Sequence, residues 1–232
     1  MQDAFTARFA RNFEAISKDE QTLLWEKRVA VLGCGGLGGY VVEYLCRFGA
    51  GRFTVCDGDV FEPSNLNRQL LCTEKTIGQN KAEAAKARIS AINNAASVTV
   101  FSERMTAENA AVILRECDVA VCALDTVSAR RILAEVAGAL RIPVILGAIA
   151  GWCGQVAVLR PGERLLDLLY LAGEEHGEET VLGNLSFTAA FCAALQASET
   201  AKLLLGRPSA LRGGEVLQFD LLQQLFEKIN LC

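Results

Sequence analysis

Short apolar runs alternate with amphipathic stretches along the first two thirds of the chain. RVAVLG (28–33) and RFTVCD (52–57) are rich in β-branched residues and predict buried strands. Between them, GGYVVEYLCRFG (38–49) predicts a helix that ends at Gly49. The same rhythm predicts further strands over 97–102, 118–124 and 142–148, and further helices over 78–93, 106–117 and 128–141. This alternation indicates an α/β protein with a parallel sheet and helices on both faces.

The rhythm changes after Gly147. Residues 154–163 predict a strand that ends in a turn, and the acidic segment 171–184 has no periodicity, so we expect a mobile loop there. SFTAAFCAALQASETAKLLLG (186–206) predicts a long, largely buried helix. The last run, 215–231, fits either a strand hairpin or a strand followed by a helix.

The composition fits one large domain. The 232 residues are 51% hydrophobic, and 23 basic against 27 acidic residues give a net charge of −4. This charge offers no general attraction to nucleic acid or to an anionic membrane, and charged residues interrupt the long apolar runs. We therefore expect a cytoplasmic protein without a signal peptide. The number of cysteines, nine, is odd, most of them lie in apolar surroundings and none form a C-x-x-C pair, which argues against disulfides and a four-cysteine zinc site. Cys153, close to Gly151 and Gly154, is expected to lie in an exposed loop.

A glycine-rich turn is the first candidate site. Gly33, Gly35 and Gly38 form G-x-G-x-x-G directly between a predicted strand and a predicted helix. In this context the glycines allow a tight turn, close approach of the backbone to phosphate and close packing of the helix. Asp57 ends the next strand, 19 residues after Gly38, where a carboxylate accepts hydrogen bonds from ribose hydroxyls. These residues predict a nucleotide-binding site, but they do not distinguish NAD from ATP.

Charged residues further along favour ATP. Arg68 follows the second strand and Lys81 opens a helix 13 residues later, which suits the charge of a triphosphate. Asp125 ends the fourth strand, where a carboxylate facing a triphosphate would hold Mg²⁺. Each residue also has an ordinary interpretation: Arg68 and Lys81 as solvated surface, and Asp125 as a helix N-cap.

The sequence resembles the HesA/MoeB/ThiF family of adenylyltransferases, which is related to the ubiquitin-activating enzymes. The resemblance rests on GCGGLG (33–38) with Asp57-Gly-Asp59, NLNRQ (65–69), GQNKAE (78–83), INN (92–94), ALDTVSARR (123–131), GAIAGWCGQVAVL (147–159) and the N-terminal RFARN (8–12). It implies a Rossmann-like, mostly parallel sheet that antiparallel strands extend in the C-terminal half. It also implies a single domain with an N-terminal helical segment (1–27), an ATP-binding half (28–150) and a carrier-binding half (151–232).

The resemblance implies an ATP-dependent enzyme that adenylates the C-terminal glycine carboxylate of a ubiquitin-like sulfur carrier ending in Gly-Gly, of the ThiS or MoaD type. That carboxylate is itself the nucleophile, so no protein base is required and His176 is expected to be a loop residue. By position, the resemblance implies that the nucleotide is bound by Gly33, Gly35, Gly36, Gly38, Asp57, Asp59, Asn65, Arg68, Lys81 and Asp125. Asp125 would hold Mg²⁺, and the catalytic set would be Arg68, Lys81, Asp125 and Arg11. Arg11, with Arg8 as the alternative, would act on the partner subunit of a homodimer.

The chain also departs from the family. Many relatives carry two C-x-x-C pairs that bind zinc, and some carry a cysteine in the loop corresponding to 172–184; neither feature is present here. We therefore expect an enzyme that stops at the adenylate. Three alternatives remain open: adenylation of a carboxylate on a modified tRNA base with cyclisation, an NAD-dependent oxidoreductase, and a non-catalytic scaffold. The acidic charge argues mildly against the tRNA substrate, and the cations and Asp125 argue against the other two.

Overall fold

A computed structural model describes residues 7–170 and 179–231, with side chains described at all of these except 179 and 180. The strands are β1 (Arg28–Leu32), β2 (Arg52–Cys56), β3 (Ser97–Phe101), β4 (Val119–Cys122), β5 (Val144–Ala150), β6 (Cys153–Leu159), β7 (Glu215–Asp220) and β8 (Leu225–Asn230). They form one sheet in the order β3-β2-β1-β4-β5-β6-β7-β8.

The strand order places a crossover at the centre of the sheet. Strands β1 to β5 are parallel, and β1 lies between β2 and β4, so that Val29 is opposite Phe53 on one side and Val119 on the other. The chain therefore builds β2 and β3 to one side of β1 and then returns to build β4 and β5 on the other. Open α/β sheets bind ligands at the carboxyl ends of the strands at such a point.

Strands β6, β7 and β8 continue the sheet as antiparallel hairpins. The expected fold class, a mostly parallel sheet with an antiparallel extension, is confirmed. The last segment of the chain forms the hairpin of β7 and β8, which is one of the two arrangements that its pattern allowed.

Helices cover both faces of the sheet. They are α1 (Lys18–Glu26), α2 (Gly38–Phe48), α3 (Lys81–Ile92), α4 (Ala110–Ile113), α5 (Val127–Ala139), α6 (Leu165–Leu169), α7 (Glu179–Leu182) and α8 (Ser186–Leu204), with 3₁₀ turns at Ala10–Asn12 and Pro63–Asn65. Side chains of β1 alternate between two cores, because Val29 and Val31 pack with α1, α2, α3 and α8, whereas Ala30 and Leu32 pack with α4, α5 and α6. No helix in the described part of the chain combines the length and the apolar character that a membrane span requires.

The ends of the helices follow from local hydrogen bonds. Helix α3 begins at Lys81, three residues later than the sequence pattern predicts, because the Asn80 side chain accepts hydrogen bonds from the N–H groups of Ala82 and Glu83. Helix α2 ends where Gly49 adopts a left-handed conformation with φ of 109°.

Two predicted segments differ from the structure. The helix predicted over 106–117 is helical only from Ala110 to Ile113, because the Asn109 side chain binds the backbone N–H of Thr106 and the carbonyl of Arg104 and holds a loop there. In the segment predicted as a loop over 171–184, residues 179–182 form the short helix α7. Residues 171–178, including His176, lie outside the described residues. Of the eight cysteines that the structure describes, seven are buried, including Cys34 between Gly33 and Gly35. Cys153 is exposed as expected, but it is the first residue of β6 and does not lie in a loop.

Candidate functional site

A cavity of about 650 Å³ opens at the carboxyl ends of the parallel strands, at the crossover between β1 and β4. Its walls are the glycine-rich loop after β1, the acidic turn after β2, the connection before α3 and the start of α5. From the residues predicted for the site, the structure brings together Gly33, Gly35, Gly36, Asp57, Asp59, Arg68, Lys81 and Asp125. Gly38, Asn65 and Arg11 do not line the cavity.

The glycine-rich loop depends on two close backbone contacts. Gly33 has a φ of 89°, and a Cβ at this position would lie 2.5 Å from the carbonyl oxygen of Ala123. A Cβ on Gly38 would lie 1.8 Å from the carbonyl oxygen of Gly33, so Gly38 supports the site by letting α2 pack onto β1. No side chain caps the N-terminus of α2. Its first N–H groups are therefore suited to an anionic ligand in the cavity.

Asp57 joins the loop after β1 to the turn after β2. Its Oδ2 accepts a hydrogen bond from the N–H of Cys34 at 2.7 Å, and its Oδ1 accepts one from the N–H of Asp59 at 2.9 Å. Burial raises the pKa of Asp57, although these hydrogen bonds and the charge of Lys81 act against the shift. A carboxylate oxygen can accept two hydrogen bonds, and each oxygen of Asp57 accepts one from the backbone N–H groups named above. Asp57 is therefore also able to bind a hydroxyl group of a ligand.

Asp59 binds two cations at the edge of the cavity. The Lys81 Nζ atom lies 3.4 Å from Oδ2 of Asp59, and an Arg104 Nη2 atom lies 3.0 Å from Oδ1. Burial works to raise the pKa of Asp59, but Lys81 and Arg104 outweigh it and the pKa lies below its usual value. Asp59 therefore orients two positive charges beside the glycine-rich loop. Arg104 is absent from the predicted set, although it follows β3 at the same edge of the sheet.

The Arg68 guanidinium has no acidic partner in the described parts of the chain. Its Nη1 donates to the carbonyl of Ser64 at 3.0 Å and to Oδ1 of Asn67 at 2.9 Å. Asn65 lies under this turn, and its carbonyl accepts hydrogen bonds from the N–H groups of Arg68 and Gln69. Asn65 thus shapes the turn that presents Arg68 and does not itself face the cavity.

Gln69 is a further lining residue that the predicted set omitted, although it belongs to the NLNRQ segment. Its side chain is 7% exposed and lies against Gly35, and its Oε1 has no hydrogen-bond partner among the described residues. A buried polar atom at the wall of a cavity favours a ligand that hydrogen bonds there.

Asp125 is exposed at the rim of the cavity. Thr126, and not Asp125, caps α5, because the Thr126 hydroxyl oxygen accepts a hydrogen bond from the N–H of Ala129. Asp125 makes no ion pair with another described residue, so its carboxylate is available to a cation. Within residues 7–170 and 179–231 no group of three or more His, Cys, Asp or Glu side chains is placed to hold a metal by itself. One carboxylate together with ligand phosphates is, however, an ordinary Mg²⁺ site.

A second cation that is absent from the predicted set lies in α5, across the crossover from Lys81 and Arg104. Arg130, in α5, lines the cavity and is only 6% exposed. Its Nε donates to the carbonyl of Leu124 at 3.0 Å, and its Nη1 donates to the hydroxyl of Tyr170. The guanidinium also lies 5.3 Å from the centre of the Tyr170 ring.

The N-terminal arginines lie far from the cavity of their own chain. Asn12, beside Arg11, donates its Nδ2 to the carbonyl of Phe48 at the C-terminus of α2. The N-terminus of α2 opens on the cavity, and its 11 residues span about 16 Å. Arg8 binds the side chain of Asn93, just past the C-terminus of α3. Both arginines therefore lie at the opposite end of the sheet.

The strand order defines an α/β protein of the Rossmann-like class, with a cavity at the crossover whose glycine-rich loop and cations suit an anionic ligand. The chain belongs to the ThiF family, whose match extends over residues 8–231, and the family resemblance is thereby confirmed.

Individual relatives match most of the chain. The SAMP-activating enzyme E1 of Haloferax volcanii is 32% identical and covers 96% of this chain and 84% of its own length. The sulfur carrier protein adenylyltransferase of Thermus thermophilus is 35% identical over 93% of this chain and 82% of its own length. A crystal structure of Escherichia coli MccB with MccA-N7isoASN is similar in fold, with a TM-score of 0.84 and 21% identity over 97% of this chain and 72% of that chain.

Proposed function

We propose that this protein is an ATP-dependent adenylyltransferase that activates the C-terminal glycine carboxylate of a ubiquitin-like sulfur carrier. A carboxylate oxygen attacks the α-phosphorus and forms the new O–P bond. The bond from that phosphorus to the oxygen bridging to the β-phosphate breaks, and pyrophosphate leaves with the electron pair. The similarity to the Thermus sulfur carrier protein adenylyltransferase and to the Haloferax SAMP-activating enzyme supports this reaction.

The observation that carries the proposal is the set of cations around one cavity. Arg68, Lys81 and Arg104 lie on the side of the glycine-rich loop and β2. A dinucleotide pyrophosphate is served largely by the N–H groups of a helix, whereas a triphosphate and a departing pyrophosphate require more positive charge. The cations therefore favour ATP over NAD as the nucleotide.

Asp125 is the residue proposed to hold Mg²⁺. Its free carboxylate at the rim of the cavity fits a metal that completes its coordination with phosphate oxygens and water. The ion would supply positive charge to the phosphate oxygens when bound.

The two halves of the chain would have different partners. Residues 28–150 supply the nucleotide site, and residues 151–232 would bind the carrier. The exposed aromatic side chains of Trp152, Phe187 and Phe226 lie in this second half and support a protein partner. The N-terminal segment, 1–27, would bring Arg11 to the cavity of a second subunit in a homodimer, because Arg11 does not line the cavity of its own chain.

ATP–pyrophosphate exchange tests the proposed function. We expect labelled pyrophosphate to enter ATP when the protein is mixed with Mg²⁺ and a ThiS-type or MoaD-type carrier ending in Gly-Gly, and no exchange with the same carrier lacking its last glycine. MgATP, and not NADH, should raise the melting temperature. Absence of exchange with every carrier despite binding of ATP would contradict the proposal and direct attention to a carboxylate on tRNA.

A further inference from the structure

Arg130 is a buried cation without an acidic partner among the described residues. It is 6% exposed, it lines the cavity, and its two hydrogen bonds go to a backbone carbonyl and to the hydroxyl of Tyr170. Burial of a charge is costly unless the charge is paired, and uncharged acceptors offset only part of this cost. A buried guanidinium at the wall of an open cavity therefore indicates an anionic ligand.

The donors of Arg130 are only partly used. A guanidinium has five N–H groups, and those of Arg130 engage two acceptors, the carbonyl of Leu124 and the hydroxyl of Tyr170. The Nη2 atom donates to no acceptor in the part of the chain that the structure describes. Because the Tyr170 ring and hydroxyl fix the plane of the guanidinium, the remaining N–H groups form a prepared fork for a planar acceptor.

The position of Arg130 separates it from the other cations. Lys81 and Arg104 are both bound to Asp59 beside β2, on one side of the crossover. Arg130 lies on the other side, in α5, where its Nε binds the carbonyl that directly precedes Asp125. The cavity therefore offers two separate positive regions, and a single triphosphate does not require the second one.

We propose that Arg130 binds the carboxylate of the acyl substrate and holds it for attack on the nucleotide; this inference rests on the proposed adenylyltransferase function. A planar guanidinium matches a carboxylate better than it matches any other part of a peptide terminus. The apolar side chains of Leu124, Ile132 and Ile149 line the same cavity and reduce solvent screening of the pair.

This arrangement meets a requirement of the reaction. The carboxylate and the triphosphate are both anions and repel each other, so a separate cation is needed to keep the nucleophile in place. Arg130 neutralises the carboxylate without taking or giving a proton, because a guanidinium stays protonated and a carboxylate is already ionised near neutral pH. Tyr170 is a positioning residue, because it contacts the guanidinium and not the substrate.

Binding of two forms of one carrier tests the inference. The probes are a ThiS-type or MoaD-type carrier with its natural C-terminal carboxylate and the same carrier with a C-terminal amide, titrated with a non-hydrolysable ATP analogue and Mg²⁺ present. The parent protein should bind the carboxylate form at least about tenfold more tightly than the amide form. In Arg130→Gln the two affinities should become equal within about twofold, and Arg130→Lys should keep part of the preference.

Two controls separate this function from a structural one. Tyr170→Phe removes a hydrogen bond of the guanidinium but keeps its charge, so it should retain most of the preference for the carboxylate. Affinity for the ATP analogue alone should change by less than about twofold in Arg130→Gln and Arg130→Lys, because the nucleotide cations are elsewhere. Melting curves report whether each variant folds. If Arg130→Gln does not fold, the partial loss of carboxylate preference in Arg130→Lys tests the inference.

Three results would overturn the inference. An unchanged carboxylate preference in Arg130→Gln would remove Arg130 from the substrate site. A loss of affinity for the ATP analogue without a change in that preference would assign Arg130 to the nucleotide. A parent protein that shows no carrier-dependent pyrophosphate exchange would refute the proposed function, and the inference with it; exchange in the parent together with either of the other results refutes the inference alone.

Discussion

Replacement of Lys81 by methionine should slow ATP–pyrophosphate exchange much more than replacement of Arg104 by glutamine, although both cations bind the same carboxylate. The two differ mainly in solvent exposure. The Lys81 side chain is 10% exposed and lies 3.4 Å from Asp59, whereas the Arg104 side chain is 82% exposed at 3.0 Å. Water therefore screens the charge of Arg104 far more than the charge of Lys81.

The exposure of each cation sets the magnitude. Two unit charges about 4 Å apart interact by about 4 kcal/mol at an effective dielectric constant of about 20, and by about 1 kcal/mol in bulk water. Loss of a prepared donor to developing charge typically costs about 100-fold to 1,000-fold in rate. We therefore expect Lys81→Met to lower the exchange rate by about 100-fold or more, and Arg104→Gln by about tenfold or less.

The assay is the initial rate of exchange at saturating MgATP and carrier, with a melting curve for each variant. Asp59 retains one cationic partner in either variant, so both proteins should fold. If Arg104→Gln lowered the exchange rate as much as Lys81→Met, the link between the burial of a cation and its effect on the rate would be refuted. A Lys81→Met variant within about threefold of the parent would show that the buried ammonium does not act on the transferred phosphate.

Three further predictions concern the fold and the assembly. Gly38→Ala should lower stability by about 3 kcal/mol or more and abolish binding of ATP, because its Cβ would lie 1.8 Å from a carbonyl oxygen, whereas Gly36→Ala, with no atom nearer than 4.0 Å, should melt like the parent. Burial works to raise the pKa of Glu43, but its two arginine partners lower it below its usual value. The stabilisation is thus present above the unfolded pKa of about 4.3 and is lost as the pH falls through the lower folded pKa. Glu43→Gln should cost about 1–3 kcal/mol at pH 7, and its unfolding free energy should fall less steeply below pH 4.3 than that of the parent; parallel curves would contradict this. If Arg11 acts on a partner subunit, an equal mixture of inactive Arg11→Ala and Lys81→Met chains should regain about a quarter of the parent activity, and a mixture that stays inactive would contradict this assignment.

Features that lie at the ends of parallel strands could be predicted from the sequence. Gly33, Asp57 and Asp125 each follow a β-branched run, and the carboxyl ends of neighbouring parallel strands meet at one edge of a sheet. Their convergence on one cavity needed no knowledge of side-chain contacts. Lys81 was predictable for a related reason, because a helix that leads back across the sheet begins at the same edge.

Features that depend on contacts between distant segments could not be predicted. Arg130 lies within an amphipathic helix, where its residue type indicates only a solvated surface, and its burial depends on Tyr170, which is 40 residues away. Arg104 lies in the short connection between the predicted strand 97–102 and the predicted helix 106–117, and the loop that presents it depends on the Asn109 side chain. Asn65 has a polar side chain that could bind a ligand, but its main contacts are with the backbone of its own turn.

The central claim is that a carboxylate oxygen of the substrate forms a bond to the α-phosphorus of ATP. A carrier labelled with oxygen-18 in its C-terminal carboxylate tests this claim most directly. After the activated carrier is transferred to hydroxylamine, which attacks the acyl carbon, the released AMP should contain one labelled oxygen, because the bridging oxygen of the adenylate comes from the carboxylate. AMP without label, or ATP cleaved to ADP with all of the label left on the carrier, would contradict the proposed reaction.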